Sequence, residues 1–173
     1  MSDPSLAPFF NPRGVAVIGA SREPTKLGYL LSRNLIHIGY NGATHFVNPK
    51  GGTLFGRPIH ASIIDVPDPV DLAVLLVPPP AVPETLTQCG QRGIKAAIIA
   101  TGGFRETGAA GAELEQACLR IAEGYGMRLL GPNCIGLLNT HLPLDTTFLQ
   151  PPPPPAVTPP AGDGTGILRE WWT

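Results

Sequence analysis

From Val15 onward, short β-branched apolar runs alternate with amphipathic stretches. Parallel βαβ units give this pattern, because each strand is buried on both faces and each helix on one. GVAVIGAS (14–21) reads as a buried strand running into a glycine turn. After it Leu27, Leu30, Leu31, Leu35 and Ile38 keep the i, i+3, i+4 spacing of one helix face, and Gly39 ends it. THFVNPK (44–50) reads as a second strand, and DLAVLLVPPP (71–80) as an interior strand stopped by three prolines. Residues 82–93 form a helix candidate, and KAAIIATGGF (95–104) a fourth strand ending in a Gly-Gly turn. Leu114, Ala117, Cys118, Ile121 and Ala122 mark the next helix face, and residues 127–139 supply a fifth strand, a turn and a short sixth strand. The order predicts an α/β fold: a Rossmann-like, doubly wound, mostly parallel sheet with helices on both faces. The pattern carries this domain over about 8–139, ahead of a proline-rich tail.

Composition sharpens that division. Glycine and proline number 21 each, about double their ordinary share, and seven of the prolines lie beyond Gln150. PPPPPAVTPP (151–160) has polyproline II character, so the tail is read as a disordered spacer dispensable for ligand binding. Trp171 and Trp172 could anchor it by docking on the core or on a partner. The formal charge is −1 and charged residues make up 14% of the chain, which leaves no electrostatic footprint for nucleic acid or a membrane surface. Cys89, Cys118 and Cys134 form no C-x-x-C pair, and no apolar run reaches membrane-spanning length. A soluble, cytoplasmic protein is expected.

In doubly wound sheets ligands bind at the carboxyl ends of the strands, and those ends are where this chain is unusual. Gly19 and Gly28 bracket the first turn, which also holds Ala20, Ser21, Arg22 and Lys26. A helix N-terminus after a glycine turn offers unpaired N–H groups and a positive dipole end to a phosphate; an ordinary loop with solvated charges has the same composition. At the second strand end, where dinucleotide enzymes usually place an acid to accept from the ribose diol, stand Asn48, Pro49 and Lys50. A cation there favours a phosphorylated ribose, which leaves NADP and the 3′-phosphate of coenzyme A both open. Val77, Pro78 and Pro79 and then Thr101, Gly102 and Gly103 shape the backbone without offering an acid, base or nucleophile. In GPNC (131–134), Asn133 can orient a ligand or a turn by hydrogen bonding, and Cys134 is a small apolar residue or a thiol.

Candidates for catalysis are sparse. His37, His45, His60 and His141 show no metal-ligand spacing, Ser21 lies outside any G-x-S-x-G elbow, and Glu106, Glu113 and Glu115 read as helix-turn and helix-surface charges. The residues predict a binding module without catalytic or metal-ligating side chains.

Three stretches, GVAVIGASREPTKLGY, then FVNPKGG through LAVLLVPPP to IIATGGFRETG, and finally GMRLLGPNCIGLLN, resemble in register the N-terminal CoA-binding domain of NDP-forming acyl-CoA synthetases. That family includes ADP-forming acetate–CoA ligase and the α subunit of succinyl-CoA synthetase. With the resemblance the predicted domain spans 8–148, followed by the proline-rich tail over 149–173. The resemblance implies that the loop from Gly19 to Gly28 wraps the CoA phosphates and that Lys50 approaches the adenosine end. It further implies that Val77–Pro79 and Thr101–Gly103 line the cofactor, and that Gly131–Cys134 closes the site near the pantetheine arm. Succinyl-CoA synthetase has a Glu in the segment where this chain has Gly102, and the acetate enzymes are closer there. The family reaction passes through an acyl phosphate and a phosphohistidine on a second domain, with nucleotide on an ATP-grasp domain. The resemblance therefore implies a module for coenzyme A or acyl-CoA that is inactive by itself and has as partner a chain carrying those domains. A stand-alone CoA-binding regulatory protein and an NADP-binding oxidoreductase domain are the alternative readings, and homo-oligomerisation stays open.

Overall fold

The computed structural model describes residues 4–150; the tail readings at 151–173, with Trp171 and Trp172, lie outside the described residues. Strand β1 (Gly14–Ile18) is buried at every position. It is followed by α2 (Leu27–His37), β2 (Ala43–Val47), β3 (Gly52–Leu54), β4 (Arg57–His60), β5 (Leu72–Leu75), α3 (Val82–Gln91), β6 (Ala96–Ile99), α4 (Ala109–Tyr125) and β7 (Arg128–Leu130). A short α1 (Ala7–Phe10) precedes β1, and a two-stranded hairpin of β8 (Leu138–Asn139) and β9 (Leu144–Asp145) closes the described chain. The main sheet has the order β3-β4-β2-β1-β5-β6-β7, with every pair parallel except β3–β4. Connections run outward from β1 in both directions, so the doubly wound arrangement and its switch point lie at β1.

Alternation along the strands sorts the core into two layers. Ala16, Ile18, Ala73, Leu75, Ala97 and Ile99 pack with Val82, Leu86 and Cys89 of α3 and Cys118 and Ala122 of α4. Val15, Val17, Leu72, Val74, Ala96 and Ile98 face the other way, against Leu31 and Leu35 of α2, Phe9 of α1 and Leu144 of β9. Each leucine-sized side chain taken out of water this way contributes on the order of 1.5–3 kcal/mol before entropy is counted. At the opposite end of the strands from the crevice, the Arg13 guanidinium donates to both carboxylate oxygens of Asp71 at 2.8 and 3.0 Å and holds that carboxyl below its usual range.

Three features refine or add to the sequence reading. Strands end earlier than the apolar runs suggest: β1 stops at Ile18, β2 at Val47, β5 at Leu75 and β6 at Ile99, because the following residues turn out of the sheet to build loops. The hairpin β3–β4 escaped the sequence pattern. Its strands have three and four residues, joined at Phe55 and Gly56, both with positive φ (48° and 72°), the backbone of a tight hairpin turn. Finally, the short sixth strand near 138 pairs with β9 rather than joining the main sheet, and Thr146 Oγ1 both accepts from Leu137 N and donates to Leu137 O there.

One half-buried side chain gives the fold an acid limit. His45 on β2 has its Nε2 buried without a hydrogen-bond partner, and burial pushes its imidazole below the ordinary 6.5, partly offset by a bond to the Pro69 backbone. The folded state thus binds this proton less readily than the unfolded chain. Stability is fully present above pH 6.5 and is lost as pH falls through the unfolded value toward the folded one. The melting temperature is expected to fall between pH 7 and pH 5, and His45→Gln to flatten that slope; an unchanged slope in the variant would remove His45 as the cause.

Candidate functional site

The carboxyl ends of β1, β2, β5 and β6 open on two hollows of about 460 and 430 Å³. Gly19, Asn48, Leu76 and Val77 line both, so they form the ridge between two halves of one crevice centred on the switch point. Gly19 is the reason the chain can turn there: its φ is +97°, and a Cβ would lie 2.2 Å from the Leu76 carbonyl oxygen. Gly28 has the complementary role, since a Cβ on it would lie 2.1 Å from the Gly19 carbonyl oxygen. Helix α2 therefore starts in direct contact with the β1 turn.

That start is built to receive something. Lys26 caps α2 in an extended conformation with no side-chain hydrogen bond to the helix, so the dipole end and first amides of α2 are left to the crevice, which Lys26, Leu27 and Gly28 line. Ser21 Oγ accepts from Glu23 N at 3.0 Å and shapes the preceding loop. Asn48 ties this loop to the next one: its Nδ2 donates to Ala20 O at 2.8 Å and its Oδ1 accepts from Lys50 N at 2.9 Å. Ala20, Ser21, Arg22 and Lys50 meet around a smaller hollow of about 340 Å³ beside the first, and the Arg22 guanidinium covers Gly52, 3.2 Å from where a Cβ would stand. Among the described residues Arg22, Lys26 and Lys50 make no ion pair, while Glu23 is the acid on the same rim.

The far walls come from β5 and β6. Val77 and Pro78 line the second hollow together with Pro49, and Thr101 and Gly102 line the first. Thr101 Oγ1 donates to Val77 O at 2.8 Å, which locks these two strand ends together. Pro79, Gly103, Asn133 and Cys134 line neither hollow and stand behind this wall. Pro79 abuts Gly103, Asn133 N donates to Thr101 O at 3.0 Å, and Asn133 Oδ1 lies 3.1 Å from where a Cβ on Gly102 would be. Cys134 packs its Sγ 3.5 Å from Ile99 O, and burial pushes its thiol up, so it is a protonated wall residue rather than a nucleophile.

Several lining residues escaped the sequence. Leu27, counted there among the core positions of α2, is 47% exposed and lines the crevice instead. Ala61, Ser62, Glu84, Thr85 and Gln88 complete the second hollow; they carry no motif and arrive through the unpredicted hairpin and the first turns of α3. None of His37, His45, His60 and His141 lines the crevice, and no described group of three His, Cys, Asp or Glu could hold a metal ion. The arrangement can grip an elongated anionic ligand, with Glu23 and Glu84 as the carboxylates on its rim.

A crevice at the switch point, with free cations at one end and glycine walls at the other, defines a nucleotide-type binding domain. The family model of the CoA binding domain matches residues 13–140, and the chain belongs to that family. It is 45% identical over 141 residues to the α subunit of acetate–CoA ligase [ADP-forming] II of Pyrococcus furiosus, covering 82% of this chain and 31% of that protein. It is 44% identical over 159 residues to acetate–CoA ligase [ADP-forming] of Methanocaldococcus jannaschii, covering 92% of this chain and 21% of the relative. Among solved structures, a Pyrococcus horikoshii OT3 protein superposes with a TM-score of 0.80 at 46% identity, over 84% of this chain and 33% of that one. The chain thus corresponds to the CoA-binding portion of ADP-forming acetyl-CoA synthetases and spans a third or less of the length of these relatives.

Proposed function

We propose that the chain binds coenzyme A, free or acylated, in the crevice at the end of β1. The observation that carries this reading is the grouping of Arg22, Lys26 and Lys50, free of ion pairs, around the uncapped start of α2. The diphosphate lies on the α2 amides with Ser21 and Lys26. The 3′-phosphate of the ribose lies between Lys50 and Arg22, where a dinucleotide enzyme would present an acid to a free diol. Thr101, Gly102 and Gly103, backed by Asn133 and Cys134, form the wall along which the pantetheine arm leaves. Gly19, Ala20, Gly28, Asn48, Pro49, Val77, Pro78 and Pro79 set the shape of these contacts.

In this reading the chain holds one substrate of an ADP-forming acyl-CoA ligase, and phosphoryl transfer belongs to other domains of such a ligase, on a partner chain or on the same one. Among the described residues no helix is long and apolar enough to cross a membrane, and the cytoplasm, where CoA is available, is the proposed setting. Calorimetric titration with CoA, acetyl-CoA, NADPH and NADH tests the reading: CoA and acetyl-CoA are expected to bind, and tighter binding of NADPH would replace it with the dinucleotide alternative. With acetate, CoA and Mg-ATP the chain is expected to give background turnover. A held substrate without a nucleotide site or a phosphate-carrying histidine lowers no barrier. Turnover abolished by substituting His37, His45, His60 or His141 would make the chain an enzyme in its own right.

A further inference from the structure

Glu106 reads from sequence as a surface charge, yet its carboxylate reaches back into the wall of the crevice. Its Oε1 accepts from Gly103 N at 2.6 Å and lies 3.3 Å from where a Cβ on Gly102 would stand. We propose that Glu106 is a positioning residue whose carboxylate holds the Thr101–Gly103 turn in the open shape that forms one wall of the ligand crevice. The proposal rests on the CoA reading for its ligand and on the geometry of the turn for its mechanism.

The turn needs such a brace. Gly102 and Gly103 have no side chains to pack, and a glycine pair has more conformational freedom to lose than any other dipeptide. The flanking backbone is anchored step by step: Ala100 N donates to Leu75 O, Thr101 Oγ1 to Val77 O, and Thr101 O accepts from Asn133 N. Past Gly103, Phe104 is fully buried, and its carbonyl accepts from both the amide and the hydroxyl of Thr107. Between these anchors the Gly103 amide has the Glu106 carboxylate as its partner. A charged acceptor makes the stronger kind of hydrogen bond, and the 3-10 turn Arg105–Thr107 brings that acceptor back.

The neighbouring charges are arranged to leave Glu106 free for this. Arg105, the adjacent cation, is committed to Glu115 through Nε at 2.8 Å and a second nitrogen at 2.7 Å. The Gly103 amide is the main influence holding the Glu106 carboxyl below its usual range, so the acceptor stays ionised around neutral pH. Because Glu106 is exposed, removing its side chain empties no core space. The effect should fall on the shape of the turn and hence on the ligand, and not on the stability of the domain.

Glu106→Ala and Glu106→Gln separate these contributions in the full chain. Amide hydrogen exchange at Gly103 is measured without ligand, together with the melting temperature and the calorimetric affinity for CoA. The alanine variant is expected to exchange at Gly103 at least tenfold faster and to bind CoA five- to tenfold more weakly, with its melting temperature within about 2 °C of the parent. The glutamine variant keeps an acceptor oxygen and should restore both exchange protection and affinity to within about threefold. Unchanged exchange at Gly103 in the alanine variant would overturn the proposal, as would unchanged CoA affinity or a loss that glutamine fails to rescue. If the parent protein binds no CoA while Gly103 exchange still responds to Glu106, the brace stands and the CoA reading falls.

Discussion

Lys50→Ala is expected to weaken CoA binding by about tenfold or more while leaving dephospho-CoA binding within about twofold. Tenfold corresponds to about 1.4 kcal/mol, the low end of the range for a hydrogen bond to a charged group. The low end is appropriate because Lys50 is exposed and its contact is partly screened by solvent. The variant should fold normally: Lys50 is held by its main-chain N–H on Asn48 Oδ1, a bond alanine keeps. The comparison of two ligands differing only in the 3′-phosphate isolates the side chain from any loosening of the loop. Equal affinities of the parent protein for CoA and dephospho-CoA would end the assignment of Lys50 to that phosphate.

Gly28→Ala should cost both stability and binding, for one geometric reason. The new methyl would stand 2.1 Å from Gly19 O and 3.3 Å from Ala20 Cα, and neither atom can rotate away, since both belong to the main chain. Helix α2 must then lift from the β1 turn, which disturbs Leu31 and Leu35, both fully buried, and moves the helix N-terminus out of the crevice. Overpacking of this kind costs roughly 1–3 kcal/mol, and at about 2–4 °C per kcal/mol for a domain of this size the melting temperature should drop by roughly 2–12 °C. CoA affinity should fall by more than about tenfold even where the variant is folded, because the displaced amides are those proposed to receive the diphosphate. Gly124→Ala is the matched control: a Cβ at Gly124 meets nothing within 4 Å, on a helix where alanine is intrinsically favoured. A Gly28 variant that melts and binds like the control would refute the close-packing argument.

The parallel core was legible because its strands are buried on both faces and appear as continuous apolar runs. The strand ends pointed to the crevice because a doubly wound sheet opens at the carboxyl ends of its strands. Phe55 and Gly56 were illegible as a hairpin turn, since strands of three and four residues carry too few positions to show a period. Leu27 misled, as its spacing matches the buried face of α2 although the helix begins at the crevice and turns that first position toward it. Glu106 is the exposed turn charge that its sequence suggests, and what the sequence did not show is its bond to Gly103 N. Its spacing from Gly103 is that of any surface acid, and only the turn between them brings the carboxylate onto the amide. Thr85 and Gln88 are ordinary exposed-face residues of a helix until the loop after β4 is set opposite them.

The crevice draws its walls from segments that stretch from Gly19 to Gly102, with β2, the hairpin, β5 and α3 intervening. No one segment supplies the crevice alone, since its two halves come from strand ends that meet only when the sheet is complete. Occupancy and folding are then linked, and free ligand at a hundred times its dissociation constant would favour the folded state by about 2.7 kcal/mol. In a cell where the cofactor's concentration follows metabolic state, the lifetime of this domain would follow it too.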